Sequence, residues 1–381
     1  MSRRLLEKNF CTIPWTGFEL EPNGDIKNCI ISKDVIGNIH KQDIRTIIKS
    51  NPVRRQMLNG EYPDTCSGCY LQEKHRKQNF DSISSRIYYT KHLANKISPT
   101  LLEDPDNFEL RHVDLRWSNA CNQACAYCGP LYSSKWAKEL GRKQEKNKPG
   151  LAKLKEFVFK NIENLENVYM AGGEPMLMKE NKEFLDLLYK KNPNATIRIN
   201  TNLSKTNTGI FDTVCKFKNV HWTISVESIE EEYNYIRHHG KWSDFLENFK
   251  IIQRLPHKIS INGLYFILNY KSIFDTVKYF QNLGIHNNSF VIGPLYEPLW
   301  LNILNLPKNK LEDCKARFKN EVSKKPGFLL QNSYENIISY LTDTKFYANI
   351  ELTKQELKKM DLRRKIDSAK VFPTLYKEVL N

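Results

Sequence analysis

A chain of 381 residues is longer than one minimal domain, and 40% hydrophobic with 11% aromatic residues supplies a core, which excludes a disordered chain. No run of eighteen apolar residues occurs, which excludes a membrane-spanning helix. The net charge of +15 fits an acidic protein or polyanionic partner as well as a solvated Lys-, Asn- and Ile-rich surface.

Met1 to Lys8 is charged and polar, without the apolar segment of a signal peptide, so a cytoplasmic location with reduced thiols is expected. In that compartment nine cysteines, seven of them before residue 130, point to metal rather than disulfides. Residues 1–95 are turn-rich. Strands at Phe18-Glu19-Leu20-Glu21 and Ile26-Lys27-Asn28 flank a hairpin turn, Pro22-Asn23-Gly24-Asp25, and a helix is expected over about 41–58. From Leu110 the rhythm changes. Six strands are predicted at 110–117, 166–171, 195–201, 220–226, 258–268 and 289–293, separated by helices of crossover length. In the first, His112, Asp114 and Arg116 alternate with Val113, Leu115 and Trp117. A helix over 308–323 and a charged helical region follow, with Leu352-Thr353-Lys354-Gln355-Glu356 reading as a capped helix start. The predicted fold is α/β: a partial (β/α)6 TIM-like barrel over 96–305, a cysteine-rich domain over 1–95 and a helical region over 306–381. In such a sheet, active residues belong at the C-terminal ends of the strands.

The first strand runs into Cys121-Asn122-Gln123-Ala124-Cys125-Ala126-Tyr127-Cys128. Three thiolates on one tight loop can hold three irons of a 4Fe–4S cube and leave the fourth iron open. A structural zinc site wants four ligands, and an electron-transfer cluster normally takes a fourth cysteine. The second strand closes on Ala171-Gly172-Gly173-Glu174-Pro175, where two glycines permit close backbone approach and a carboxylate can meet an ammonium group. Taken alone, this segment is also an ordinary strand-to-helix turn.

The spacing Cys-x3-Cys-x2-Cys with an aromatic before the last cysteine resembles the signature of the radical S-adenosylmethionine (SAM) superfamily, over about residues 108–300. The resemblance implies that Cys121, Cys125 and Cys128 hold the catalytic 4Fe–4S cluster, beside Tyr127, and that Gly172, Gly173 and Glu174 receive the SAM amino group. Asn202, in Asn200-Thr201-Asn202, is similar to the family's Thr-Asn segment near SAM. Ser225 would hydrogen-bond the SAM ribose or carboxylate, and Glu227 stands where Asp is commoner. Arg237, in Tyr235-Ile236-Arg237, would pair with the SAM carboxylate; the alternative is an exposed helix arginine. His238 and His239 either touch substrate or end a helix in solvent.

Cys11, Cys29, Cys66 and Cys69 form a second group. By spacing alone they also suit a four-cysteine zinc site. With the intervening hairpin they resemble the SPASM/twitch auxiliary-cluster domain, which implies a second 4Fe–4S cluster. Such domains usually follow the barrel, and here the domain precedes it. Cys215 and Cys314 read as packing residues.

Together the resemblances imply an enzyme that reductively cleaves SAM to a 5′-deoxyadenosyl radical and takes a hydrogen atom from its substrate. A flavodoxin- or ferredoxin-like donor would supply the electron. Oxidation or cross-linking of a peptide or protein side chain leads, with dehydrogenation of a small alcohol or sugar as the alternative. Nucleic acid comes third, on the charge alone; the basic stretches Gly141–Lys155 and Lys354–Lys365 do not alternate with aromatics. A zinc-stabilised binding protein is the non-enzymatic alternative.

Overall fold

The computed structural model describes residues 9–75, 84–93, 96–142, 149–342 and 349–381. Two compact units divide the chain, and the division ignores chain order. The first comprises Met1–Cys121, Pro130–Asn200 and Asn207–His221; the second, Asn122–Gly129, Thr201–Thr206 and Trp222–Asn381.

In the first unit, α1 (Ile13–Thr16) leads into β1 (Gly17–Leu20). The Pro22–Asp25 turn follows, with Gly24 at φ +87° and its N–H on Glu21 O at 2.9 Å. Positive φ is why glycine stands there. The chain returns as β2 (Asp25–Lys27) and pairs again as β3 (Val35–Asn38). The helix expected over 41–58 is two helices, α2 (Ile44–Lys49) and α3 (Pro52–Leu58). The break is local: Pro52 disfavours helical backbone at Asn51, whose extended conformation lets its side chain cap Val53 N–H at 3.1 Å. Next come α4 (Ser67–His75) and α5 (Ser85–Leu93).

The βα units then begin with β4 (His112–Leu115), α6 (Ser134–Glu139), α7 (Gly150–Lys160), β5 (Asn167–Met170), α8 (Lys179–Lys191), β6 (Thr196–Thr201) and α9 (Gly209–Val214). Strand order is β3-β2-β1-β4-β5-β6. The cysteine-bearing hairpin therefore extends the same sheet, β1 lying parallel to β4. Register aligns Phe18, Val113, Val168 and Ile197 in one row. All are at most 1% exposed, and the Phe18 ring lies 6.4 Å from Phe157 of α7. The next row is Glu19, Asp114, Tyr169 and Arg198, on the opposite face because side chains alternate along a strand.

β7 (Val220–Ser225) starts in the first unit and runs on into the second. That unit continues with α10 (Glu230–Ile236), α11 (Trp242–Gln253), β8 (Lys258–Tyr265), α12 (Ile273–Asn282), β9 (Phe290–Pro294) and α13 (Lys308–Ser323). All six predicted βα strands are present. α14 (Phe328–Leu341) covers β9, where Ile292 N–H donates to Ser333 Oγ at 3.0 Å. In α15 (Ile350–Arg364) the cap is Asn349 rather than the expected Leu352–Glu356 start: its side chain accepts Leu352 N–H at 3.0 Å. Asparagine is the stronger cap, because its oxygen reaches an N–H otherwise left orphaned. Cys314 is buried, as a packing residue should be, and Cys215 is half-buried at the end of α9. No helix among the described residues is long and apolar enough to cross a membrane.

A Cβ at Gly17 would stand 2.4 Å from His112 O, so the β1–β4 pairing leaves no room for a side chain. Gly17→Ala is expected to destabilise by about 1–3 kcal/mol, as overpacking does. Urea unfolding followed by tryptophan fluorescence checks this; an unchanged midpoint contradicts the register.

Candidate active site

Within the first unit, the chain beyond β4 is fixed by the glycines that end β5. A Cβ at Gly173 would fall 2.2 Å from Ala120 O, and one at Gly172 would fall 2.9 Å from Arg116 Cβ, where φ is also +101°. The backbone approach expected of these glycines is thus made to Arg116–Ala120, the segment entering Cys121. Gly173 N–H donates to Ser118 O at 3.3 Å and Glu174 N–H to Ala120 O at 2.7 Å. The Glu174 carboxylate is buried and caps its own turn through Met176 N–H at 3.1 Å. Cys121 itself is held by Ser134, whose Oγ accepts Cys121 N–H at 3.1 Å and donates to Cys121 O at 3.0 Å.

The second unit carries the rest of the loop. Ala124 and Ala126 N–H donate to His238 O at 2.9 Å and Ile236 O at 2.7 Å, pinning Cys125 between two backbone bonds. His238 thereby meets the loop through its backbone, and His239 is exposed. Arg237 is 2% exposed, which rules out the solvent-facing reading. Its Nε and Nη2 close on Glu227 Oε2 and Oε1 at 2.8 and 2.7 Å, and Nη2 also donates to Tyr127 Oη at 2.7 Å. Tyr127 Oη in turn donates to Glu227 Oε1 at 3.0 Å. The remaining nitrogen, Nη1, lies 4.0 Å from Cys125 Sγ. Asn202 donates to Asn122 Oδ1 at 3.2 Å, so it too is tied to the cysteine loop. Ser225 ends β7, half-buried. Burial pushes the Cys125 thiol up and, with the neighbouring Cys125 thiolate, Cys128 up to about 12; Arg237 pulls both down.

The four N-terminal cysteines converge within the first unit. Cys11 belongs to a core of Phe10, Ile13, Trp15, Val53 and Met57, and Cys29 and Cys66 pack against it. Burial, then charge on Cys29 and Cys66, drives the Cys11 thiol far above its ordinary range. Burial likewise raises Cys29 and Cys66 to about 12. Buried thiols that resist ionisation because their partners are thiolates suit a cationic iron core, which reverses that balance. No three His, Cys, Asp or Glu side chains among the described residues stand at single-ion spacing. Ligands of a cubane surround a larger body, each binding its own iron.

A third cluster was not foreseen. Arg116 Nη2 lies 3.0 Å from both Glu19 and Asp114, and Nη1 lies 3.3 Å from Glu21, with all four side chains at most 10% exposed. Beside it is a cavity of about 240 Å³ lined by Cys29, Tyr88, Tyr89, His112, Asp114 and Arg198, among others. The signal was available: parallel strands covered on both faces run apolar, and His112-x-Asp114-x-Arg116 does not. What the face surrounds depends on strands distant in sequence.

The sheet and its thiol loops define an iron–sulfur protein of α/β build. Residues 115–280 match the family model of the radical SAM superfamily, and residues 11–70 match that of the SPASM iron-sulfur cluster-binding domain. The chain thus carries a radical SAM domain, with a SPASM domain ahead of it in the sequence, and 4Fe–4S iron and SAM are its cofactors. No curated protein matches the chain. Among solved structures it is similar to native anSMEcpe with bound AdoMet and Cp18Cys peptide, at 15% identity and TM-score 0.41, covering 56% of this chain and 60% of that one. It is also similar to Streptococcus suis SuiB bound to precursor peptide SuiA, at 16% identity and TM-score 0.43, covering 77% and 65%. The chain thus spans 60% of the length of the first of these.

The buried charges fix two opposed pH dependences. Burial, then Asp114, pushes the Glu19 carboxyl from 4.5 up to about 8, so the folded chain holds a proton there that the unfolded chain releases. That contribution is complete below pH 4.5 and lost as pH rises through 8. Burial, then Arg198, pushes His112 from 6.5 down to about 3, so its contribution is complete above 6.5 and lost as pH falls through 3. Glu19→Gln is expected to flatten the alkaline fall and to exceed the parent's thermal midpoint at about pH 9. Midpoints measured from about pH 5 to 9 test this; parallel curves would refute the protonated Glu19.

Proposed function

We propose that this radical SAM enzyme acts as an oxidoreductase on a peptide or protein side chain. The observation carrying the reading is that Cys29, one of four thiols matched to the iron-sulfur domain, lines a cavity against the polar inner face of β4 and β6. A substrate carbon there lies beside a ligand of the auxiliary cluster, which favours net oxidation over simple hydrogen abstraction. We take 1–95 as the auxiliary-cluster domain, 96–305 as the barrel and 306–381 as its helical extension.

Cys121, Cys125 and Cys128 hold the catalytic cluster, and Cys11, Cys29, Cys66 and Cys69 the auxiliary one. When bound, the clusters and SAM supply a carbon-centred radical that removes a hydrogen atom and an acceptor for the electron left behind. Gly172, Gly173 and Glu174 receive the SAM amino group, and Asn202 and Ser225 bind its remaining polar groups. Arg237, clamped on Glu227 and Tyr127, sets the Cys125 side of the loop and adds positive charge beside its sulfur. The fork that would meet the SAM carboxylate is occupied by Glu227, which leaves Nη1 for any ligand. Asp114, in the cavity wall and pushed up to about 6 by burial against the pull of Arg116, accepts the proton released on oxidation. The charge of +15 suits an acidic flavodoxin- or ferredoxin-like donor. A small alcohol or sugar is the second reading, favoured by the modest cavity of about 240 Å³.

Anaerobic reconstitution is expected to give about eight irons per chain, falling to about four in Cys125→Ala or in Cys69→Ala. Cys125→Ala should also abolish formation of 5′-deoxyadenosine from SAM under dithionite. Zinc in place of iron, or SAM cleavage that survives Cys125→Ala, would sink the reading.

A further inference from the structure

The C-terminal helices lie outside the residues matched to either family model, and they enclose a groove of about 620 Å³. Lys354, Lys358, Leu362 and Lys365 line it from α15 and its end, and Tyr376 and Leu380 line it from the C-terminal segment. Leu362 is 72% exposed, more than any other large apolar side chain among the described residues. Spacings of four and three residues set Lys358 and Lys365 on either side of it. Lys354 is paired with Glu351 at 3.1 Å, whereas Lys358 and Lys365 are exposed and have no carboxylate partner among the described residues. The carboxylates of the wall are already engaged. Asp361 accepts from Tyr235 Oη at 2.7 Å and from Ser368 Oγ at 2.6 Å, and Asp367 caps Ala369 N–H at 3.1 Å and faces Lys370 at 3.4 Å. The groove therefore presents an apolar contact between two cations that nothing neutralises.

Within the same unit the groove is joined to the cysteine loop. Asp361 lines it and holds Tyr235, the residue before Ile236, whose carbonyl accepts Ala126 N–H at 2.7 Å beside Cys125. Arg364, next to Lys365, is buried, and its charge bears on Cys125. Hydrogen bonds and short stretches of backbone thus lead from the groove to a cysteine of the catalytic loop.

We propose that this groove docks the electron donor, an acidic one-electron carrier protein whose carboxylates meet Lys358 and Lys365 around an apolar contact with Leu362. One electron leaves the reduced carrier and enters the cluster; the carrier is oxidised, the cluster is reduced, and no bond is made or broken. Electronic coupling falls steeply with distance, so a carrier has to dock where bonded atoms lead to the cluster. The Asp361, Tyr235 and Ile236 route does that. A second copy of the chain shares its charge of +15 and is repelled. A bilayer is too flat to fill the groove. Nucleic acid finds no stacking platform there, because Tyr376 is half-buried and hydrogen-bonded to Ser368. An acidic peptide would satisfy the lysines but gains nothing from the route to Cys125. This rests on the radical SAM reading and names where its donor binds.

The test uses the anaerobically reconstituted chain with two acidic carriers, a flavodoxin and a plant-type ferredoxin. Titration calorimetry follows binding of the oxidised carrier, and the electron paramagnetic resonance signal of the reduced cluster follows electron transfer from the reduced one. At least one carrier is expected to bind, more weakly as salt rises, and the double variant Lys358→Glu, Lys365→Glu to bind it at least about tenfold less tightly. Carrier-driven reduction is expected to slow in the same proportion. Dithionite, a small reductant that needs no docking, is expected to reduce parent and variant alike. Near-ultraviolet dichroism checks that the double variant folds; if it does not, Leu362→Asp decides with the same expected loss. Binding by neither carrier, binding unchanged by the substitutions, or an equal loss with dithionite overturns the proposal. Lysine-dependent binding of poly-glutamate, oligothymidylate or phosphatidylserine vesicles in place of the carriers does so too. Formation of 5′-deoxyadenosine by the unsubstituted chain under dithionite reports separately on the reading it rests on.

Discussion

One buried guanidinium organises the first unit. Arg116 stands just past β4, on the segment leading to Cys121, and is shared by Asp114 on that strand and Glu19 and Glu21 at the edge of the N-terminal hairpin. Three buried carboxylates cannot all stay ionised around one arginine. Lys27 steadies Glu21, Asp114 is tied to Arg116, and Glu19 is left to carry the proton. The arrangement exists only because β1 pairs in parallel with β4, placing Glu19 beside Asp114. It therefore joins the SPASM segment to the barrel sheet as one structural unit, although the two are separate matches along the chain.

The same register gives the inner face its character. Across β1, β4, β5 and β6 one row reads Glu, Asp, Tyr, Arg, while the row before it is wholly apolar. The apolar row anchors the sheet against the helices. The polar row, with His112, borders the cavity that Cys29 also lines. Apolar packing and buried charge are thus divided between the two faces of the same strands.

In the second unit a different arginine does comparable work. Arg237 is held by two oxygens of Glu227 and by Tyr127, beside the sulfur of Cys125. A charge so placed stabilises a thiolate ligand without coordinating anything itself.

Much of this protein was legible in its sequence. Local spacing alone carries the cysteine loop, the double glycine and the hairpin turn, because three thiols on one loop and a positive φ at Gly24 are properties of neighbouring residues. The βα strands were legible for the same reason, their alternation being local. The split at Asn51-Pro52 was also written locally, since Pro52 disfavours helical backbone at Asn51, although 41–58 read as one helix. Only the tertiary structure decided that the cysteine hairpin extends the barrel sheet, that Arg237 closes on Glu227, and that His112 and Arg198 share a cavity with Cys29. Those facts depend on which strand lies beside which, and strand pairing is fixed by the whole buried set rather than by any one segment.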